Sequence, residues 1–310
     1  MKVLNLVTNE RSPFYQDQVH ILEEMGVYQT TVSPRRVGSD PFGTYGTRSL
    51  VDYLPLLTDT LKESLKKYDV LHANYGLTAP FALAQLRRPV VISFWGSDLI
   101  GHYGWFNKSC ARYGDEVIVM SKEMAKRFDE DVHIIPHGVD IHMFRPIDQP
   151  EAVADIGWDP SSKHILFPYP GRRDVKNHDL AVAVADRVDE TLDDRVELHV
   201  LNGVEHDRVP LYMNAADVMI MTSKREGSPN TIKEALACNL PIISTDVGDV
   251  AERLSNVDLS YVCNEEDEFV ERISSVIERG GRSNGRDHVR HLSLENMGER
   301  ILDVYEQALS

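Results

Sequence analysis

The densest chemistry in the chain lies between residues 216 and 237. There an apolar run at 216–221 is followed by Thr222-Ser223-Lys224-Arg225-Glu226-Gly227-Ser228-Pro229-Asn230 and then by an amphipathic stretch to Ala237. Apolar run, polar loop and amphipathic stretch read as strand, loop and helix. Ser228 is a good N-cap and Pro229 suits the first helical position, so these two are expected to open the helix. Its unpaired first-turn amides then come mainly from Asn230 and Thr231, because proline has none. A helix N-terminus that follows a strand attracts anions, phosphate most often. Gly227 allows such a ligand to approach the backbone. Glu226 and Glu234 stand eight positions apart. On one helix they would diverge by about 80°. With Glu226 in the loop and Glu234 two turns along, they can instead flank one ligand at different depths.

The elements that must position these groups follow from the apolar pattern. Short apolar runs at 2–7, 28–33, 69–73, 89–94, 116–119 and 133–136 read as strands, with helix-like segments at 14–25, 50–67, 78–86 and 122–128 between them. The alternation restarts with strands at 164–167, 196–201, 218–221, 241–245 and 259–262 and helices at 178–191, 209–216, 229–237, 251–254 and 268–279. Repeated strand–helix–strand units predict parallel sheets covered on both faces, hence two α/β, doubly wound, Rossmann-like domains. We expect an N-terminal domain at 1–145, a C-terminal domain at 146–290 and a terminal helix at 291–310 crossing back to the first. The polar stretch after Pro146 reads as an interdomain connection, and Gly280-Gly281-Arg282-Ser283-Asn284-Gly285 as a break. Ligands in open α/β sheets bind outside the carboxyl ends of the strands, so two facing sheets would create a cleft lined by those loops.

Composition narrows the function classes. The 310 residues are 42% hydrophobic and 26% charged, which excludes wholesale disorder and fits two domains of ordinary size. No apolar run is long enough to span a membrane, and the N-terminal apolar stretch is too short for a secretory leader. The three cysteines, Cys110, Cys238 and Cys263, lie far apart without ligand spacing, which disfavours disulfides and a cysteine zinc site and fits the cytoplasm. A net charge of −16 argues against nucleic acid as a partner. The excess is uneven: residues 1–145 carry 16 basic against 17 acidic side chains, and the remainder 17 against 32. Bases in the first half cluster at Arg35 and Arg36, at Lys62, Lys66 and Lys67, and at Arg87 and Arg88. These are either solvated surface or a face for an anionic partner such as phospholipid, which leaves open peripheral contact with the inner face of a membrane.

The string Glu226-Gly227-x-Pro229-x-x-x-x-Glu234-Ala235 resembles the donor-site signature of retaining glycosyltransferases of the GT-B fold, especially glycosyltransferase family 4. Four further segments are similar to that family in the right order: Asp69-Val70-Leu71-His72-Ala73-Asn74, Val90 to Asp98, Ile135-Pro136-His137-Gly138-Val139-Asp140 with Phe144 and Pro146, and Pro241 to Gly248. The final helix with Tyr305 resembles the one that returns to the N-terminal domain.

The resemblance implies a nucleotide-diphosphate sugar as co-substrate, no separate cofactor and no metal; an Asp-x-Asp pair is absent from the donor loop. It assigns Glu226 to the hydroxyls of the transferred sugar, Glu234 to the ribose, and the backbone around Gly227, Ser228, Asn230 and Thr231 to sugar and phosphate. Lys176 matches the lysine that holds the diphosphate, and Arg172 or Arg173 the arginine, with Arg173 favoured. Two cations there would neutralise charge developing on the leaving diphosphate. Asp98 is available either as a polar group for chemistry beside Glu226 or as a helix cap. The sequence departs from the family at Trp95 and Asn74, which stand at histidine positions, and at Asn9 to Phe14, where a glycine-rich loop is expected. Trp95 would stack on a sugar or fill core, and His102 lies close enough in sequence to substitute for a lost histidine. The implied acceptors are a glycan, a glycolipid or a lipid-linked saccharide. The alternative is a catalytically degraded GT-B subunit that acts as partner or scaffold of an active transferase.

Overall fold

The computed structural model describes residues 1–34, 53–101 and 103–310. Arg35, Arg36, the first residues of the helix expected at 50–67, and His102 lie outside the described residues. The chain forms two compact units, Met1–His137 with Glu295–Ser310, and Gly138–Leu294.

The first unit is built on six strands: β1 (Lys2–Leu6), β2 (Tyr28–Val32), β3 (Val70–Ala73), β4 (Val90–Phe94), β5 (Glu116–Val119) and β6 (His133–Ile134). All pairings are parallel and the order is β2-β1-β3-β4-β5-β6. Every residue of β3 and β4 is buried, as a parallel sheet with helices on both faces requires. The second unit holds β7 (Lys163–Phe167), β8 (Val196–Val200), β9 (Val218–Met221), β10 (Ile242–Ser244) and β11 (Tyr261–Val262), again all parallel, in the order β11-β10-β9-β7-β8. Both sheets therefore repeat one winding, in which the chain reverses direction between its first and third strands. That reversal opens a crevice beyond the carboxyl ends of β1 and β3, and another beyond those of β7 and β9. Phe167, Met219, Ile220, Ile232 and Phe269 are fully buried in one apolar cluster around the second sheet.

The terminal helix Leu294–Leu309 buries Met297, Ile301, Val304 and Tyr305, and its residues from Glu295 belong to the first unit. Several helices differ from the sequence expectation. Gln149–Ile156 occupies the stretch read as a polar connection; Asp148 caps it by accepting from the Glu151 amide, Gly157 ends it in a left-handed conformation, and only Ala152 and Val153 are buried. Two buried residues leave too narrow an apolar stripe to register as helical periodicity. Gly285–Val289 begins on the last glycine of the expected break, and Gly104–Ala111 precedes β5. Among the described residues, no helix is long and apolar enough to cross a membrane.

Candidate functional site

The crevice at β7 and β9 brings together residues that the sequence scatters. After β7 the chain runs through Tyr169 and a short turn, Asp174–Lys176, into the helix His178–Thr191. That turn is pinned to the end of β9. The Thr222 hydroxyl lies 2.9 Å from the carbonyl oxygens of both Lys176 and Asn177, and the Lys224 amide donates to the Val175 carbonyl at 2.9 Å. Asn177 takes a left-handed conformation that turns the chain into the helix.

Pinned in this way, Lys176 is only 5% exposed. Its ammonium donates to Glu226 Oε1 at 2.5 Å and sits 3.5 Å from the centre of the Tyr169 ring. Burial lowers the proton affinity of Lys176, while the adjoining Glu226 carboxylate opposes that shift. Burial likewise raises the Tyr169 phenol far above its ordinary range, with Glu226 and Glu234 adding to the effect. Lys176 and Glu226 are thus a desolvated ion pair backed by an aromatic face, and their remaining hydrogen-bonding capacity suits an incoming anion and hydroxyls. Arg172 and Arg173 are both exposed. Arg173 acts electrostatically on both Lys176 and Tyr169, which makes it the second cation of this cluster. Tyr169 is not among the residues expected from sequence; its only signal there is an aromatic directly after a strand and before the cations.

The helix of the signature spans Asn230–Ala237 and its N-cap is Pro229, one residue later than the expected Ser228. The reason is a partner distant in sequence: the Ser228 hydroxyl donates to Asp249 at 2.8 Å instead of capping. Asp249 also receives the Arg253 guanidinium at 2.9 Å. The first-turn amides of Asn230 and Thr231 keep no intrahelical acceptor, as expected, and the buried Asn230 Oδ1 has no partner. Glu234 lies 3.9 Å from His206, whose ring rests 5.4 Å from that of Phe144. Both glutamates therefore belong to the second unit's crevice, Glu226 on Lys176 and Glu234 beside His206.

Gly227 is held by a second glycine. Gly248 has a φ of +61°, and a Cβ added there would fall 2.3 Å from the Gly227 carbonyl oxygen. Any side chain at 248 must displace the Glu226–Gly227 backbone that carries the partner of Lys176. Gly248→Ala is expected to cost about 1–3 kcal/mol from strained backbone and to weaken any ligand held by the crevice. Equal ligand-induced stabilisation of variant and wild type in a melting experiment would contradict this.

The corresponding region of the first unit is more enclosed. Asp98 is 3% exposed, and its carboxylate accepts the amides of Gly76 at 2.7 Å, Gly96 at 2.8 Å and Trp95 at 3.0 Å. Burial pushes its carboxyl up to about 6, against those amides, which lower it. Both oxygens tie the loop after β3 to the loop after β4, and the short helix Ser97–Ile100 that follows has Gly96 as its N-cap, with no side-chain cap hydrogen bond. Trp95 is half-buried in an aromatic cluster with Phe14, Tyr75 and His137, at centroid separations of 4.8, 5.6 and 5.2 Å. Asn74 is wholly buried in a chain of amides, accepting from Gln18 at 2.8 Å and donating to Asn5 at 2.9 Å. His72 is also wholly buried, with its two ring nitrogens 2.7 Å from the hydroxyls of Tyr305 and Ser93. Among the described residues, one cluster of potential metal ligands occurs, on β7 and β8 and apart from the groups above.

Family models match both parts of the chain: "Glycosyltransferase Family 4" over residues 5–142 and "Glycosyl transferases group 1" over residues 171–279, together most of its length. The chain belongs to the family 4, group 1 glycosyltransferases. It is 30% identical to the lipopolysaccharide core biosynthesis mannosyltransferase of Rhizobium meliloti over 54% of this chain and 55% of that protein. It is 28% identical to a putative teichuronic acid biosynthesis glycosyltransferase of Bacillus subtilis over 62% of this chain and 57% of that one. The family 4 chain thus spans little more than half the length of these two relatives. Among solved structures, the sucrose-phosphate synthase of Thermosynechococcus elongatus superposes with a TM-score of 0.79 at 16% identity, covering 99% of this chain and 98% of that one. Anabaena HepE, determined with UDP and glucose, superposes with a TM-score of 0.73 at 17% identity, covering 99% of each chain. These likenesses establish the GT-B fold.

Proposed function

We propose that the chain transfers a sugar from a nucleotide-diphosphate sugar to a hydroxyl of a glycan, glycolipid or lipid-linked acceptor, with retention of anomeric configuration. The observation that carries this reading is the buried Lys176–Glu226 pair over Tyr169, at the carboxyl ends of β7 and β9. Relatives named for lipopolysaccharide core biosynthesis and teichuronic acid biosynthesis support the choice of acceptor class.

In this reading Lys176 and Arg173 hold the diphosphate and Glu234 the ribose. Glu226 holds a hydroxyl of the transferred sugar, and the amides near Gly227, Ser228, Asn230 and Thr231 face sugar and phosphate. The bond between the anomeric carbon and the diphosphate oxygen breaks, and its electron pair stays on the diphosphate. The acceptor oxygen bonds to the same face of that carbon, and its proton passes to the leaving diphosphate oxygen. Two cations stabilise the negative charge as it builds. With Lys176 and Arg173 supplying that charge, the donor site calls for no divalent ion. Asp98 acts through the loops it ties together, as a positioning residue. Acceptor recognition falls to the first unit, whose exposed bases Lys62, Lys67 and Arg87 favour peripheral contact with an anionic membrane face.

A panel of nucleoside diphosphates and nucleotide sugars, screened by thermal melting, tests the donor reading. One of them, well above its dissociation constant, should stabilise the protein by roughly 2–4 kcal/mol. Arg173→Ala should weaken that ligand about tenfold, the equivalent of ~1.4 kcal/mol, and Arg172→Ala much less. Equal effects of the two substitutions would remove Arg173 from the diphosphate site. No shift with any nucleotide would return the degraded-subunit alternative.

A further inference from the structure

We infer that the second unit carries a divalent-metal site, formed by His164 on β7 with Glu197 and His199 on β8. The register makes these residues neighbours: His164 pairs with Glu197 and Leu166 with His199 in the parallel ladder. Side chains two apart on a strand share a face, so all three project to the same side of the sheet. His164 Nδ1 lies 3.0 Å from His199 Nε2, and His199 Nε2 lies 3.8 Å from Glu197 Oε2. One ligand atom from each residue falls within 4.8 Å of the others. In a tetrahedral site with bonds near 2.0–2.1 Å, ligand atoms are about 3.3 Å apart. The imidazoles are therefore set, and a small rotation of the Glu197 side chain completes the triad.

A shared proton accounts for only part of this arrangement. One proton can bridge the two imidazoles, and it then engages the nitrogen of His199 that also faces Glu197. Three lone-pair-bearing atoms converge on a space that one proton cannot satisfy. A divalent cation can accept a lone pair from all three groups at once, and two imidazoles with one carboxylate suit zinc or a neighbouring first-row ion.

The surroundings support a fixed site with one open position. Trp158 stacks on His199 with ring centroids 3.5 Å apart and planes 13° apart, which holds that ring's orientation. It also lies 4.8 Å from the His164 ring. His164 is buried, while the side chains of His199 and Glu197 are 18% and 25% exposed, leaving room for entry and for a water as fourth ligand. Arg195, 3.0 Å from the other oxygen of Glu197, orients the carboxylate from outside. The site bridges the edge strand β8 to β7 on the face of the sheet, away from the loop that carries Lys176.

The test uses the full chain, stripped with a chelator and titrated with Co2+ alone. One equivalent should produce the visible absorption of a low-symmetry cobalt site, and Zn2+ should displace it stoichiometrically. His199→Gln should abolish the signal. Glu197→Gln, at a partly exposed position that does not threaten the fold, should weaken binding at least tenfold. Absence of saturable cobalt binding to the folded wild type would overturn the inference. So would binding of equal strength in wild type and Glu197→Gln, which would place the ion on other histidines.

Discussion

Lys176→Met removes the diphosphate-dependent stabilisation of the protein and lowers kcat/KM for sugar transfer at least ~100-fold, the usual consequence of losing a charged donor aimed at a developing anion. The expectation follows from how Lys176 is held. Its ammonium is buried, fixed on Glu226 at 2.5 Å and on the Tyr169 face at 3.5 Å, so it needs no reorganisation when a diphosphate arrives. Methionine keeps the volume and deletes the charge. It also strands the Glu226 carboxylate, and breaking a buried pair costs about 3–5 kcal/mol of stability. That second effect could mimic the first, so the decisive comparison is the double variant Lys176→Met/Glu226→Gln. Neutralising the stranded carboxylate should recover much of the lost stability, while nucleotide binding stays absent. Urea denaturation reports the first quantity, and a melting shift with the nucleotide chosen by the panel reports the second. Recovery of nucleotide binding along with stability would show that Lys176 supports the fold and does not hold the diphosphate.

Acid unfolding driven by His72 is the second large expectation. His72 is wholly buried between the Tyr305 and Ser93 hydroxyls, and burial lowers its pKa to about 3 from an ordinary 6.5. In the folded chain the imidazole therefore stays neutral, whereas the unfolded chain takes up a proton below ~6.5. Between those two values the unfolded state binds more protons, so stability falls as pH falls and is fully present only above 6.5. At pH 5 this one group should remove ~2 kcal/mol relative to pH 7.5. His72→Gln lowers stability at every pH by disturbing the hydroxyl pair, yet abolishes this proton uptake. Denaturant titrations at pH 7.5 and pH 5 should therefore show wild type losing ~2 kcal/mol more than the variant. Parallel losses would mean that His72 does not titrate on unfolding. Asp98 has the opposite sign, since its carboxyl is raised to about 6 and its charged form is the disfavoured one in the fold. Because Asp98 is present in both proteins, its contribution cancels in that comparison.

Much of the candidate site was legible because its signals are local. Lys176, Glu226 and Glu234 all occur in loops or on a helix that immediately follow a strand, and strand–loop–helix succession can be read from periodicity over a dozen residues. The helix cap was misplaced by one residue because the competitor for Ser228 is Asp249, 21 positions away. Asp98 admitted two readings because capping and catalysis use the same carboxylate, and its amide partners, one of them 22 positions away at Gly76, are set by the fold. The helix Gln149–Ile156 escaped notice for a different reason. It buries so little that its strongest evidence is its caps.

The sequence by itself determined two α/β units, the parallel character of their sheets and the loops in which cations and glutamates cluster. Each of these depends on neighbours a few residues apart. The tertiary structure alone decided that β7 lies against β9, which joins Lys176 to Glu226 across 50 positions and seats both on Tyr169. It alone decided that Gly248 presses on Gly227, that Tyr305 reaches back 233 positions to His72, and that His164 meets His199 across a strand pair. Such contacts follow from strand order and register, which emerge when the whole chain buries its apolar surface together and leave no trace in the spacing of nearby residues.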